Sequence, residues 1–202
     1  MTKKNIASHT LLAAVLLCGG ASLLAQAEKK AKAGLPAVAG QRLSPHETTY
    51  VRVGSDRASS SLVSLTYGRP YAAKGGKGEA RKIWGGLVPW NKADRLGADE
   101  ATLIVLQHPI EIGGKTIPAG AHTLYLVPSE TGPSKLAFSS HVGKWGVPVD
   151  ETKDIARVDL KKESLDKDVD QLTIVLENQQ TNGLIKIMWE KTQFSVPFTV
   201  KR

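Results

Sequence analysis

Hydrophobic positions recur at every second residue through the last third of the chain. Ala156, Val158 and Leu160 alternate with Arg157, Asp159 and Lys161, and Leu172, Ile174 and Leu176 repeat the spacing. Ile185, Ile187 and Trp189 follow it again, and Phe194, Val196, Phe198 and Val200 close the chain. Successive side chains on extended backbone point to opposite faces, so each run predicts a strand with one buried face. Asn182-Gly183 falls between the second and third runs, where a tight hairpin needs positive φ at both central residues. The four runs therefore predict an antiparallel meander. Pro197 has no N–H to give a ladder, which predicts an edge or bulged strand at the end.

The earlier half supplies strands at about residues 48–54, 61–68, 101–107, 109–113, 121–127 and 135–140, expected to form the opposing sheet. Val63, Leu65 and Tyr67 share one face, while residues 101–106 are almost continuously apolar and predict a central strand covered on both sides. Gly113-Gly114 and Pro118-Ala119-Gly120 supply turns, because glycine tolerates left-handed backbone and proline presets φ. No window of a dozen residues carries a helical stripe. Nine or ten short strands predict an all-β antiparallel sandwich, with a closed barrel as the alternative.

One stretch breaks the rhythm. Between Gly68 and Asp99 the chain loses alternation but carries Arg69, Lys82, Trp84, Trp90 and Arg95. Long irregular connections in compact domains are usually functional or disordered, and two tryptophans argue against disorder.

The first 27 residues read as a leader. Lys3 and Lys4 precede an apolar run from Leu11 to Ala25 that ends in Ala25-Gln26-Ala27, the pattern of a cleaved secretory signal peptide. Cys18 is the only cysteine, and Leu16 and Leu17 stand where lipid attachment needs small residues, so lipidation is not expected. Export would then deliver a cysteine-free protein to the periplasm or the exterior, stabilised by its core instead of by disulfides. No later segment is apolar enough to predict a membrane span. Residues 28–43, rich in Lys, Ala and Gly, predict a flexible lead-in to one domain over residues 44–202.

The formal charge is +8, but Lys and Arg are scattered and aromatic residues make up only 5% of the chain, which argues against nucleic acid as a partner. His46, His108, His122 and His141 show no His-x-His or His-x-x-x-His spacing, so no metal or other cofactor is called for. Ser139-Ser140-His141 lacks the turn of a nucleophile elbow. A hydrolase or metal-dependent enzyme centred on His46, Glu47 and Glu100 stays as the competing class.

The richest combination lies in and around the irregular loop. Arg69, Lys82 and Arg95 offer donors for anions, and Trp84, Trp90 and Trp145 offer flat apolar faces for sugars, aromatic ligands or a peptide. With His46, Glu47 and Glu100 these form the candidate ligand-binding set, for a small anionic or glycan-like ligand or an envelope protein partner. The plain alternative is that Trp84 and Trp90 plug one end of the sandwich, with Arg69 and Arg95 paired to Glu47 and Glu100.

The motifs Tyr67-Gly68-Arg69-Pro70, Arg81-Lys82-Ile83-Trp84-Gly85-Gly86-Leu87-Val88-Pro89-Trp90, Arg95-Leu96-Gly97-Ala98-Asp99-Glu100-Ala101-Thr102 and Ile112-Gly113-Gly114-Lys115, in this order, resemble the exported bacterial family named domain of unknown function 2911. The resemblance spans roughly residues 44–200. It departs from the family pattern at Asp94, where tryptophan is common, at Asp99, where asparagine is usual, and at Trp90, where tyrosine is common. It implies an exported β-rich domain and no particular chemistry.

Overall fold

A computed structural model of the chain describes residues 44–202. The expected leader, Cys18 and the 28–43 segment lie outside the described residues. Ten strands follow in order: β1 His46–Val53, β2 Ser61–Gly68, β3 Thr102–Leu106, β4 Ile110–Ile112, β5 Lys115–Ile117, β6 Gly120–Val127, β7 Lys135–Ser139, β8 Asp154–Asp159, β9 Lys161–Gln179 and β10 Asn182–Val200. Two antiparallel sheets result, one in the order β1-β2-β3-β6-β7-β8 and the other in the order β5-β4-β10-β9. Both sheets end in separate edge strands, so the fold is the expected sandwich and not a barrel.

Alternation explains the core. Val63, Leu65 and Tyr67 on β2, Ile104 and Leu106 on β3, Leu124 and Leu126 on β6 and Phe138 on β7 are buried. They belong to one core with Leu172, Ile174, Ile185, Ile187, Phe194 and Phe198 of β9 and β10. Burying apolar area at roughly 25 cal/mol per Å² drives this assembly. The two sheets are also joined by a polar bond inside the core: the Ile174 N–H donates to the Tyr67 hydroxyl at 2.7 Å. Burial pushes the Tyr67 phenol pKa up, since its charged form would sit away from water.

Several pairings differ from expectation, each for a physical reason. The run from Ala156 to Leu160 does not open a meander: β8 pairs with β7, with Leu136 opposite Val158, and buried Leu160 turns the corner into β9 in the other sheet. β4, expected beside the early strands, pairs with β10 instead. Period two states which face of a strand is buried, not which neighbour it bonds.

Ile185-Trp189 and Phe194-Val200 form one strand. Pairing of β10 with β9 is irregular between Met188 and Thr192, and inward positions change there from odd to even numbers, so a bulge makes one strand resemble two. β10 is central in its sheet. Pro197 falls past the last pair with β9, Ser195 with Lys161, and before the first with β4, Phe198 with Ile112. The hairpin turns on Gln180-Thr181, with Gln180 at φ 66°, and not on Asn182-Gly183. Gly183 has another use: a Cβ there would lie 2.0 Å from the Phe198 ring. Finally, β3 is central in order but covered on one face only, because Val105 is 42% exposed.

Candidate functional site

The irregular stretch after β2 is tied down at both ends and in the middle. Arg69 N–H donates to the Pro45 carbonyl, Ala72 N–H to Asp170 O and Leu172 N–H to Pro70 O, at 2.8, 2.6 and 2.9 Å. Farther on, Asp94 and Leu126 exchange both backbone bonds at 2.8 Å, which fixes the segment against β6. Ile83, Val88 and Leu96 are buried in the common core. A tight turn, with Val88 N–H on Ile83 O at 2.9 Å, presents Trp84. Gly85 sits at φ 74°, and a Cβ there would meet Trp90 Nε1 at 2.4 Å, so the glycine allows Trp90 to close over the turn. The rings of Trp84 and Trp90 stack at 6.4 Å, while Trp84 meets Phe194 and Trp189 edge-on at 5.2 and 6.4 Å.

The expected site residues divide into separate groups. Arg69 binds Glu47 at 2.5 Å and also donates to Leu172 O at 3.1 Å and Thr173 Oγ1 at 2.8 Å, joining β1 and β9. His46 lies 3.3 Å from Asp99 and 3.4 Å from Glu100. Glu47, the neighbour of His46 on β1, pairs with Arg69 and stands apart from the group that His46 forms with Asp99 and Glu100. Arg95 donates to the carbonyls of Gly97 and Asp99 at 3.1 and 2.7 Å, and stands 5.6 Å from the ring centre of Trp145. Lys82 is exposed. Lys162, which the sequence did not single out, lies 5.4 Å over Trp90.

A cavity of about 350 Å³ opens beneath the loop. Trp84, Leu87, Val88, Leu126, Leu172 and Trp189 give it apolar walls, and Tyr71, Lys74, Arg81, Asp94 and Arg95 contribute polar groups. Of the nine expected residues, it unites only Trp84 and Arg95. Arg81 is committed to the carbonyls of Tyr71 and Ala72 at 2.7 and 3.1 Å. Asp94 is different: its Oδ1 accepts the Leu96 N–H at 3.0 Å, and no other hydrogen bond reaches its carboxylate among the described residues. Burial pushes the Asp94 pKa up, against the opposing pull of the Leu96 N–H and of Arg95. The indole Nε1 atoms of Trp84 and Trp189 are buried and have no acceptor among the described residues. Trp189 is core, as its alternation predicts, and also lines the cavity, whereas Asp94 is one of three acids in residues 68–99 and only its departure from the family pattern marks it in the sequence.

A second cavity, of about 420 Å³, lies over the outer side chains of β6 and β7. Thr123, Tyr125 and Ser139 line it together with Trp145, Val147, His141 and Asp150 of the loop after β7. Tyr125 donates to Asp154 at 2.6 Å and accepts from Arg157 at 2.7 Å. Burial first, then the bond to Asp154, drives the Tyr125 pKa far above that of an ordinary phenol. Ser139 Oγ donates to Lys153 O at 3.3 Å and accepts the His141 backbone N–H at 3.2 Å. The Ser139 hydroxyl thus bonds main chain and not an imidazole.

Among the described residues, no group of three or more His, Cys, Asp or Glu is placed to hold a metal ion, and no helix is long and apolar enough to cross a membrane. Comparison with curated proteins and with solved structures gives no match. A family model described as a protein of unknown function (DUF2911) matches residues 44–198.

Proposed function

The chain belongs to the DUF2911 family, and on that footing we propose that it is an exported, non-catalytic binding module for a small, neutral, hydroxyl-rich ligand of the glycan type, held in the cavity beneath Trp84. The leader read in residues 1–27 supports export, to the periplasm or outside the cell.

The observation that carries the reading is Asp94, a partly buried carboxylate with acceptor capacity left over, on a cavity walled by Trp84, Leu87 and Trp189. A sugar offers apolar C–H faces to indoles and hydroxyl donors to a carboxylate, so it satisfies both kinds of wall at once. An anionic ligand fits less well. The guanidinium groups of Arg81 and Arg95 already serve protein carbonyls, and Arg69 does not line the cavity and serves Glu47, Leu172 and Thr173. Of the cations on the wall only Lys74 is not so engaged among the described residues, and Asp94 would repel a second negative charge. Selectivity against anions therefore accompanies the recognition of hydroxyls.

Thermal shift and tryptophan emission, measured across neutral and acidic monosaccharides with Asp94→Asn and Trp84→Phe as variants, test this. A neutral sugar should raise the Tm and change the emission, and both effects should weaken at least severalfold in Asp94→Asn. Binding of acidic sugars alone, or no response to any sugar, would overturn the proposal.

A further inference from the structure

The cavity beneath Trp84 continues beyond itself. Arg95 and Val147 line both this cavity and the one over β6 and β7, and a shallower depression of about 480 Å³ shares the same two residues and adds Asn91, Lys92 and Ala93. The three spaces adjoin at Arg95 and Val147 and together trace one groove-like path over the surface. Its walls collect exposed apolar side chains: Val147 is 61% exposed, Trp145 55% and Leu87 43%. Single exposed apolar residues are ordinary, whereas three along one path mark a surface built for contact.

Trp145 is exposed and yet held. Arg95 lies against its ring at 5.6 Å and donates to its carbonyl at 3.4 Å. The Ala101 N–H donates to Lys144 O at 3.1 Å, and a Cβ on Gly146, which sits at φ 83°, would come within 2.8 Å of Ala101 Cβ. The indole is thus presented on a segment pressed against the residue that leads into β3, and a platform fixed in advance loses little freedom on binding.

We propose that the groove holds a linear, neutral oligosaccharide, with one unit beneath Trp84 beside Asp94 and later units passing Arg95 and Val147 to stack on Trp145. This rests on the glycan reading of the first cavity. The charged groups along the path carry both signs, with Asp94, Asp150 and Glu151 against Lys74, Lys92 and Lys144, while the guanidinium groups of Arg81 and Arg95 already serve protein carbonyls, which suits a neutral polymer better than a polyanion. Part of the main chain along the path is closed to a peptide strand, since the N–H groups of Asn91, Asp94 and Ala101 are spent on Pro128, Leu126 and Lys144.

Calorimetry with cello-, malto- and chito-oligosaccharides of one to six units tests the length dependence. In the series whose monomer binds, affinity should rise about tenfold or more between one and four units, the gain expected from one added indole contact. Trp145→Ala should remove that gain and leave monomer affinity within about twofold, with its far-ultraviolet dichroism unchanged. Monomer binding with no gain at any length overturns the oligosaccharide proposal and leaves the single-sugar site standing. A length gain untouched by Trp145→Ala overturns the placement on Trp145, and failure of every length in all three series overturns both readings together.

Discussion

Replacing Arg69 by alanine should cost the protein about 3 kcal/mol of stability. The side chain is 23% exposed and its partner Glu47 is 40% exposed, so their ion pair is partly screened and contributes about 0.5–1 kcal/mol. Its bonds to Leu172 O at 3.1 Å and Thr173 Oγ1 at 2.8 Å bring β9 into the same fork, at about 1 kcal/mol each. Lost packing of the aliphatic stem supplies the remainder. In a domain of this size such a loss lowers the Tm by about 6–12 °C. Thermal unfolding followed by circular dichroism, together with urea titration, reads both quantities. Arg69→Lys should recover only about a third of the loss, because an ammonium can face Glu47 but cannot also present the flat fork that reaches two atoms of β9. If Arg69→Ala costs less than about 1 kcal/mol, or if lysine restores the whole, Arg69 is not the clamp between the two strands. Sugar affinity in the folded fraction should stay unchanged, and a loss there would return Arg69 to the ligand site.

Gly183→Ala should destabilise the protein by about 1–3 kcal/mol in urea titration, because the new methyl meets the Phe198 ring inside a packed core; a neutral result would place the glycine's importance elsewhere. Asp94→Asn should raise the Tm at pH 7. The folded-state pKa of Asp94 is raised by burial, so between its unfolded and folded values the native state binds more protons, and stability falls as pH rises through that window. The advantage of the asparagine variant should accordingly vanish in acid below the unfolded carboxylate range, and a Tm difference that does not change with pH would refute the assignment. Tyr67 and Tyr125, both with raised pKa values, should stay protonated in alkaline native protein. Absorbance titration near 295 nm should then fall two phenols short of the amplitude given by the four tyrosines in denaturant, and a full native amplitude would show these hydroxyls to be accessible.

The sequence alone determined which residues face inward. Val63, Leu65 and Tyr67, or Leu172, Ile174 and Leu176, alternate because a pleated strand has two faces and only one meets the core, and that rule is local. It also marked residues 68–99 as an ordered departure, since tryptophans are not left in water without a use. Strand partnership was beyond its reach. The run at Ala156 and Val158 has the same pattern whether it bonds to β7 or β9, and only the corner at Leu160 chooses. The bulge near Glu190 shifts the phase of one strand, which a pattern of period two reads as two strands. The site followed the same division. Trp84 and Arg95 were legible as chemistry in a loop, whereas Asp94 and Trp189 became neighbours only when a loop and a distant strand packed against each other. Arg69 and Glu47 carry charges anyone can count along the chain. Whether those charges greet a ligand or each other depends on distances that folding alone sets.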